Sequence, residues 1–207
     1  MKKTIAFLLV AVMALSLTAA FASSSPSGYV EPVIVTPTNT NAGTRAPQQP
    51  APVNFIFRLI DAALNGKASE QLEKLNQFVN EGNPVAKFFP EEIQNAIAAK
   101  LPAGAELDAL VMNELEAVET ESAGAAAKAY DEMLVKVAFT TNYADAEAIY
   151  PILRLENADG SVTWHLVEAE IEEDGSVTLH LPSDLLAKFE GAVSAVIFIL
   201  NTPYVVK

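Results

Sequence analysis

TWHLVEAEIEEDGSVTLHL, residues 163–181, holds the chain's only Trp, Trp164, and both of its His, His165 and His180. Two readings compete for it: a chemical site or a β-hairpin. Taking Glu173-Asp174-Gly175 as a three-residue loop, with Gly175 supplying the left-handed residue, sets Glu172 against Ser176. Counting back pairs Ile171 with Val177, Ala169 with Leu179 and Val167 with Leu181. These apolar residues share one face. The other face pairs Glu170 with Thr178 and Glu168 with His180. A two-residue Asp-Gly loop would instead oppose Ile171 to Thr178 and Val177 to Glu172, so the alternation selects the three-residue register. His180 then reads as the cross-strand partner of Glu168 on a solvated face, a contact of ~0.2–1 kcal/mol.

The preceding hairpin reads similarly. With Asn157 to Gly160 as a four-residue loop, Leu155 faces Val162, Leu153 faces Trp164 and Ile152 faces His165. Val162, Trp164 and Leu166 share a face, whereas Val167, Ala169 and Ile171 carry the apolar pattern afterwards. That shift of parity predicts a bulge or twist near Leu166-Val167. The two histidines then do not converge, and structural roles are expected of both rather than catalysis or metal ligation.

Working outward, Met133, Val135, Val137 and Phe139 alternate as one strand, and Tyr150 to Leu155 forms another. Ala192 to Leu200, AVSAVIFIL, is apolar on both faces, as in a strand covered on both sides. Leu107, Ala109 and Val111 also alternate, ahead of a crowd of acids at Glu114, Glu116, Glu119 and Glu121. Residues 122–132, SAGAAAKAYDE, fit either a helix or a loop.

Residues 53–104 have helical period instead. Ile56, Leu59, Ile60, Ala63 and Leu64 fit one helix face, with Asn65-Gly66 as its stop. A second helix is expected from about Ser69 to Asn80, with Leu72, Leu75, Phe78 and Val79 inward. A third follows Pro90, with Glu91 and Glu92 at the positive end of the helix dipole. Phe55, Phe57, Phe88 and Phe89 are expected in the core rather than in a ligand site.

The N-terminus, MKKTIAFLLVAVMALSLTAAFA, carries Lys2 and Lys3, an apolar run, and the small-x-small site Ala20-Phe21-Ala22. It reads as a signal peptide, residues 1–22, cut after Ala22. Residues 23–52 hold six of the chain's 12 Pro among Ser, Thr, Asn and Gln. They read as a disordered Pro/Thr/Asn-rich linker, because they bury too little apolar surface to offset chain entropy. The YVEPVIV patch within them (residues 29–35) has strand character.

Composition excludes several chemistries. The chain of 207 residues has no Cys, which removes thiol catalysis, thiolate zinc sites and iron–sulfur clusters. Its net charge is -13. Without the first 22 residues, 11 basic and 26 acidic side chains remain, hence -15. Such a chain repels phosphate backbones and anionic lipid, so neither nucleic acid nor membrane is expected as a partner after signal cleavage. No serine-hydrolase elbow, HExxH, phosphate loop or dinucleotide fingerprint occurs. Asn157-x-Asp159-Gly160 resembles part of a calcium loop, but Leu155 stands at the first ligand position and the closing Glu is missing. No catalytic, cofactor-binding or metal residue is assigned, and no cofactor.

Phe139-Thr140-Thr141-Asn142-Tyr143, the Trp164 strand, Asp174-Gly175-Ser176-Val177 and the closing apolar strand form a cadence. It resembles β-sandwich modules of secreted proteins from Gram-positive gut bacteria. The resemblance implies an immunoglobulin-like fold with surface or adhesive roles, and no specific functional residues. The expected fold is α+β: a helical segment at 53–104, then an antiparallel immunoglobulin-like β-sandwich at 105–207. The expected function is a non-enzymatic extracellular or cell-surface interaction module, secreted or held in the cell envelope, whose partner is a protein or glycan. The alternative is a secreted hydrolase acting on cell-wall or dietary polymers.

Overall fold

The structure is a computed structural model that describes residues 36–38 and 53–203. The signal-peptide reading, the YVEPVIV patch and most of the linker lie outside the described residues. Within the stretch read as linker, Thr36–Thr38 forms a short strand, β1, paired antiparallel with Glu132–Leu134.

Among the described residues, nine strands form two antiparallel sheets. The fold is α+β. β2 (Ile56–Asp61) leads through a short 3-10 turn into α1 (Gly66–Asn80), and a second 3-10 turn leads to α2 (Glu91–Ala98). β3 (Val111–Glu121), α3 (Ala123–Ala129) and β4 (Glu132–Val137) follow. Then come β5 (Ile149–Asn157), β6 (Val162–Leu166), β7 (Glu168–Ile171), β8 (Val177–Pro182), α4 (Ser183–Gly191) and β9 (Ala192–Asn201). The five-stranded sheet has the order β2-β3-β9-β5-β6, and the four-stranded sheet the order β1-β4-β8-β7.

The first of the three expected helices is instead strand β2. Its residues satisfy both periods, but Phe55, Phe57 and Leu59 alternate into the core between the sheets. Two aromatics at that spacing favour the pleated surface. β2 pairs with β3 from Ile56↔Glu121 to Asp61↔Glu116, so the segment read as wholly helical contributes an edge strand to the larger sheet. Asn65-Gly66 starts a helix rather than stopping one. The Asn65 side-chain oxygen accepts the backbone N–H groups of Lys67 (3.1 Å) and Ala68 (3.2 Å), an N-cap for α1. The other two helices stand where the spacing placed them, with Leu75, Ile93 and Ile97 buried. Residues 122–132 resolve into α3 and the start of β4.

Two apolar cores flank the five-stranded sheet. One lies between the sheets, where Met133, Val135, Leu179 and Leu181 face Leu153, Leu155, Ile197 and Ile199. The other lies under α1 and α2, where Val196, Phe198 and Leu200 meet Leu75, Phe89 and Ile97. β9 is thus covered on both faces, and Val196 through Leu200 are fully buried. Each such large side chain contributes roughly 1.5–3 kcal/mol relative to exposure. Of the four phenylalanines expected in the core, Phe55, Phe57 and Phe89 are buried and Phe88 is half-buried.

The β7–β8 register is the one read from the alternation: Glu168↔His180, Ala169↔Leu179, Glu170↔Thr178 and Ile171↔Val177. The β5–β6 register differs by one residue. Asn157 N–H bonds the Ser161 carbonyl (2.9 Å), leaving Ala158-Asp159-Gly160 as a three-residue loop with Gly160 at φ +82°. Leu153 therefore faces His165, and Arg154 faces Trp164. The shift of parity at Leu166-Val167 is not a bulge within one strand. There the chain leaves the five-stranded sheet and enters the four-stranded one. Val167, buried, donates its N–H to the Pro151 carbonyl at 2.8 Å and ties the crossing to β5.

Candidate functional site

The two histidines sit on different sheets. His165, half-buried on β6, has its Nε2 3.1 Å from the Thr163 hydroxyl. Burial holds its pKa below the ordinary histidine value, and Lys188 adds to that, against smaller opposing effects of Asp184 and Glu92. His180 lies on the outer face of the four-stranded sheet. Its Nδ1 is 3.4 Å from Glu132 and its Nε2 3.6 Å from Glu170.

The expected contact between His180 and Glu168 is not the one formed. Glu168 stands opposite His180 in the register, but Lys100, from the loop after α2, takes its carboxylate at 2.8 Å. That bond holds the Glu168 pKa below the usual range. Lys100 presents a compact point charge on a flexible stem that reaches the Glu168 carboxylate directly.

Around this exchange of partners lies a groove of ≈ 450 Å³ at the seam of the two sheets. Lys100, Glu147, Glu168, Glu170 and His180 form its rim, and Ile149, Val167, Ala169 and Ile171 its floor. The β5 wall includes Tyr150, whose hydroxyl donates to the Lys100 carbonyl at 3.4 Å. Burial, with Glu147 beside it, raises the Tyr150 pKa, so the phenol stays protonated at neutral pH. The sequence placed Glu168 and His180 on one strand face. It gave no sign of Lys100, Glu147 or Tyr150, which are close only through the crossing at Val167.

A second cleft of ≈ 260 Å³ opens where β3 and β9 part company. Their pairing ends at Ala117↔Val196, and the residues beyond diverge into α3 and out of α4. Phe189 lines the cleft, and Arg58 bonds Glu121 across its mouth at 3.0 Å.

Glu114 and Glu116 are buried on β3, at 5% and 8% exposure. Glu114 accepts the Thr141 N–H at 2.6 Å. Neither carboxylate lines either of these grooves. Their burial was not legible in the acid-rich stretch.

The turn that resembled a calcium loop has its carboxylate committed inside the turn. Asp159 accepts the Ser161 N–H at 2.9 Å, and hydrogen bonds from Ser161 hold its pKa low. Asp174 does the same in the other hairpin. It accepts the Ser176 hydroxyl and N–H and pairs with Lys136 at 2.9 Å, which hold its carboxyl well below the usual range. Among the described residues no group of three or more His, Asp or Glu is placed to hold a metal ion.

No family model, no curated protein and no solved structure matches this chain. Among the described residues no helix is long and apolar enough to cross a membrane.

Proposed function

We propose that the chain is an exported, non-enzymatic interaction module that holds an extracellular protein or glycan in the groove at the sheet seam. The leader-like residues 1–22 and the Pro-rich stretch after them support export to the cell exterior or envelope. The observation that carries the reading is the groove itself, a concave surface with an apolar floor and a polar rim. Of its charged groups, Lys100 is paired with Glu168, and His180 lies 3.6 Å from Glu170. Such an arrangement suits recognition better than proton transfer, which needs a poised acid and base around a reacting atom.

The immunoglobulin-like reading draws support from the two facing antiparallel sheets. The helical layer over the five-stranded sheet departs from the plain two-layer form. The hydrolase alternative needs a pair of carboxylates free to act on a bond; of the three on the groove rim, Glu168 is bonded to Lys100 and Glu170 lies beside His180, and the buried pair Glu114 and Glu116 borders neither groove.

The test is a screen of the folded protein against arrayed glycans, peptides and extracellular proteins, with product analysis of every hit. Saturable binding without turnover is expected. A hit that is released as cleaved product overturns the module reading in favour of the hydrolase, and an empty screen overturns both.

A further inference from the structure

We propose that the β4 edge, beyond the point where β1 begins, takes residues 33–35 of this same chain, so that one strand runs along β4 from Val33 to Thr38. Residues 33–35 lie outside the described residues, and the described edge defines what fits there. This edge lies across the four-stranded sheet from β7 and takes no part in the seam groove.

Ser183 N–H bonds the Asp131 carbonyl at 2.8 Å, which fixes the phase of the β4–β8 ladder. In an antiparallel pair, hydrogen-bonded and non-bonded positions alternate. Met133, Val135 and Val137 therefore bond Leu181, Leu179 and Val177 of β8. Glu132, Leu134 and Lys136 turn their N–H and C=O the other way, toward β1. Thr38 stands opposite Glu132 and Thr36 opposite Leu134. Lys136 is the next such position, and an unbroken register sets it against Ile34. Pro37 stands opposite Met133, where the N–H of an edge strand points away from β4. Its missing donor leaves the ladder intact and blunts the outer edge. The same phase puts Pro32 opposite Ala138, where a donor is needed, and so ends the strand at Val33.

Residues directly opposite in a pair share a face. Val135 and Val137 are buried in the core between the sheets. The register sets Val35 against Val135 and Val33 against Val137, so both new valines fall on that apolar face. Ile34 falls on the outer face with Leu134 and Lys136. Three β-branched residues in a row suit such an edge. The connection favours the same chain over a second copy. Thr38 pairs with Glu132, and Val53 N–H donates to the Tyr130 hydroxyl at 3.2 Å. Both ends of the stretch 39–52 are thus held where α3 meets β4, and closing a loop of that length costs little entropy. The edge that closes the four-stranded sheet then comes from the stretch read as linker. A cut between Pro32 and Pro37 would open the core between the sheets.

The test is residue-resolved amide hydrogen exchange of the full chain, followed by NMR. Exchange should be slow at Ile34, Thr36, Thr38 and Lys136 and at least about tenfold faster at Val33 and Val35, whose N–H groups point away from β4. That alternation needs no substitution. Two variants then separate the faces. Val35→Asp puts a charge on the apolar face and should speed exchange at Lys136 about tenfold or more. Ile34→Asp, on the outer face beside Lys136, should leave that amide within about twofold of its original rate. The amide of Val135, bonded to β8, serves as the internal reference in both. Fast exchange at Ile34 and Lys136 overturns the proposal, as do equal effects of the two substitutions. Protection at Lys136 that rises with protein concentration assigns the strand to a second copy and overturns the same-chain assignment.

Discussion

The β5–β6 and β7–β8 hairpins are closed by the same four residues, Asp-Gly-Ser-Val, at 159–162 and at 174–177. The turns are alike in detail. Gly160 and Gly175 sit at φ +82° and +80°. Each Asp accepts the N–H of its Ser, and the strands close through Asn157 to Ser161 and Glu172 to Ser176. Yet apolar alternation gave the right register for only one of them. β7 and β8 have one wet face, so a slip of one residue would put Ile171 among charges, and the pattern forbids it. β5 is buried on both faces from Ile149 to Arg154. The register formed there opposes Leu153 to His165 and Leu155 to Thr163, so matching apolar to apolar across the pair points to the wrong one. The turn held the missing information, since the Asp-Gly-Ser geometry fixes a three-residue loop in both places.

The sharpest way to break this comparison is to ask whether double coverage is also where the stability lies. Phe198 packs at 5.3 Å from Phe89 and 5.6 Å from Trp164 beneath the helices, on the strand buried on both faces. Phe198→Ala should cost about 3–5 kcal/mol, read from denaturant midpoints. Thr178→Ala, on the partly wet outer face of β8, loses only its bond to Glu172 and should cost about 1 kcal/mol. Equal losses at the two sites would mean that the helical layer adds little to the larger sheet.

The turns come next in size. An alanine at φ near +80° is strained by roughly 1–2 kcal/mol. Gly160 has open space around a built Cβ, whereas a Cβ at Gly175 would collide with the Asn142 side chain. Gly175→Ala should therefore lower the thermal midpoint more than Gly160→Ala. Equal shifts would mean that Asn142 moves aside freely, although its side chain holds the Ala144 N–H at 2.9 Å.

What the sequence made legible follows the same division. Where one face is wet and the other dry, as in β7 and β8, position and register were readable from side-chain types alone. Where both faces are dry, local pattern lost its power. Ile56 to Leu64 matched a helix face because its apolar residues satisfy both periods, although Leu64 at the end of the run is exposed and Phe57 and Leu59 alternate into the core. The burial of Glu114 and Glu116 had no local sign, because nothing in their own stretch reveals the second sheet above β3. The groove was least legible of all. Glu168, Glu170 and His180 were placed correctly on one face, but the Lys100 that binds Glu168 depends on the sheet crossing at Val167, a fact of topology rather than of pattern.

The histidines give the comparison a pH axis. His165 has a folded pKa below its unfolded value because burial disfavours the imidazolium. The unfolded chain then binds the extra proton, so this contribution is present above the unfolded pKa, about 6.5, and is lost as pH falls below it. The thermal midpoint should drop between about pH 7 and pH 5, before the hydrogen-bonded carboxylates Asp174 and Glu156 begin to titrate. His165→Gln should flatten that drop. A slope that survives the substitution would assign it to other groups.

The smallest effect concerns the partner that Glu168 was expected to have and does not. Register alone brings Glu168 opposite His180, and Lys100 removes it from that pairing. If competition is the cause, a double-mutant cycle between Glu168 and His180 should give almost no coupling in the wild-type chain. The same cycle in a Lys100→Ala background should recover a coupling of ~0.2–1 kcal/mol at a pH where the imidazole is charged. The exposed Lys100–Glu168 pair is itself worth under about 1 kcal/mol, so the fold tolerates its loss. Coupling that stays near zero without Lys100 would mean that strand geometry, rather than the lysine, keeps the two apart. The acidic rim of the groove would then be built into β7 itself instead of being shaped by a cation from the loop after α2.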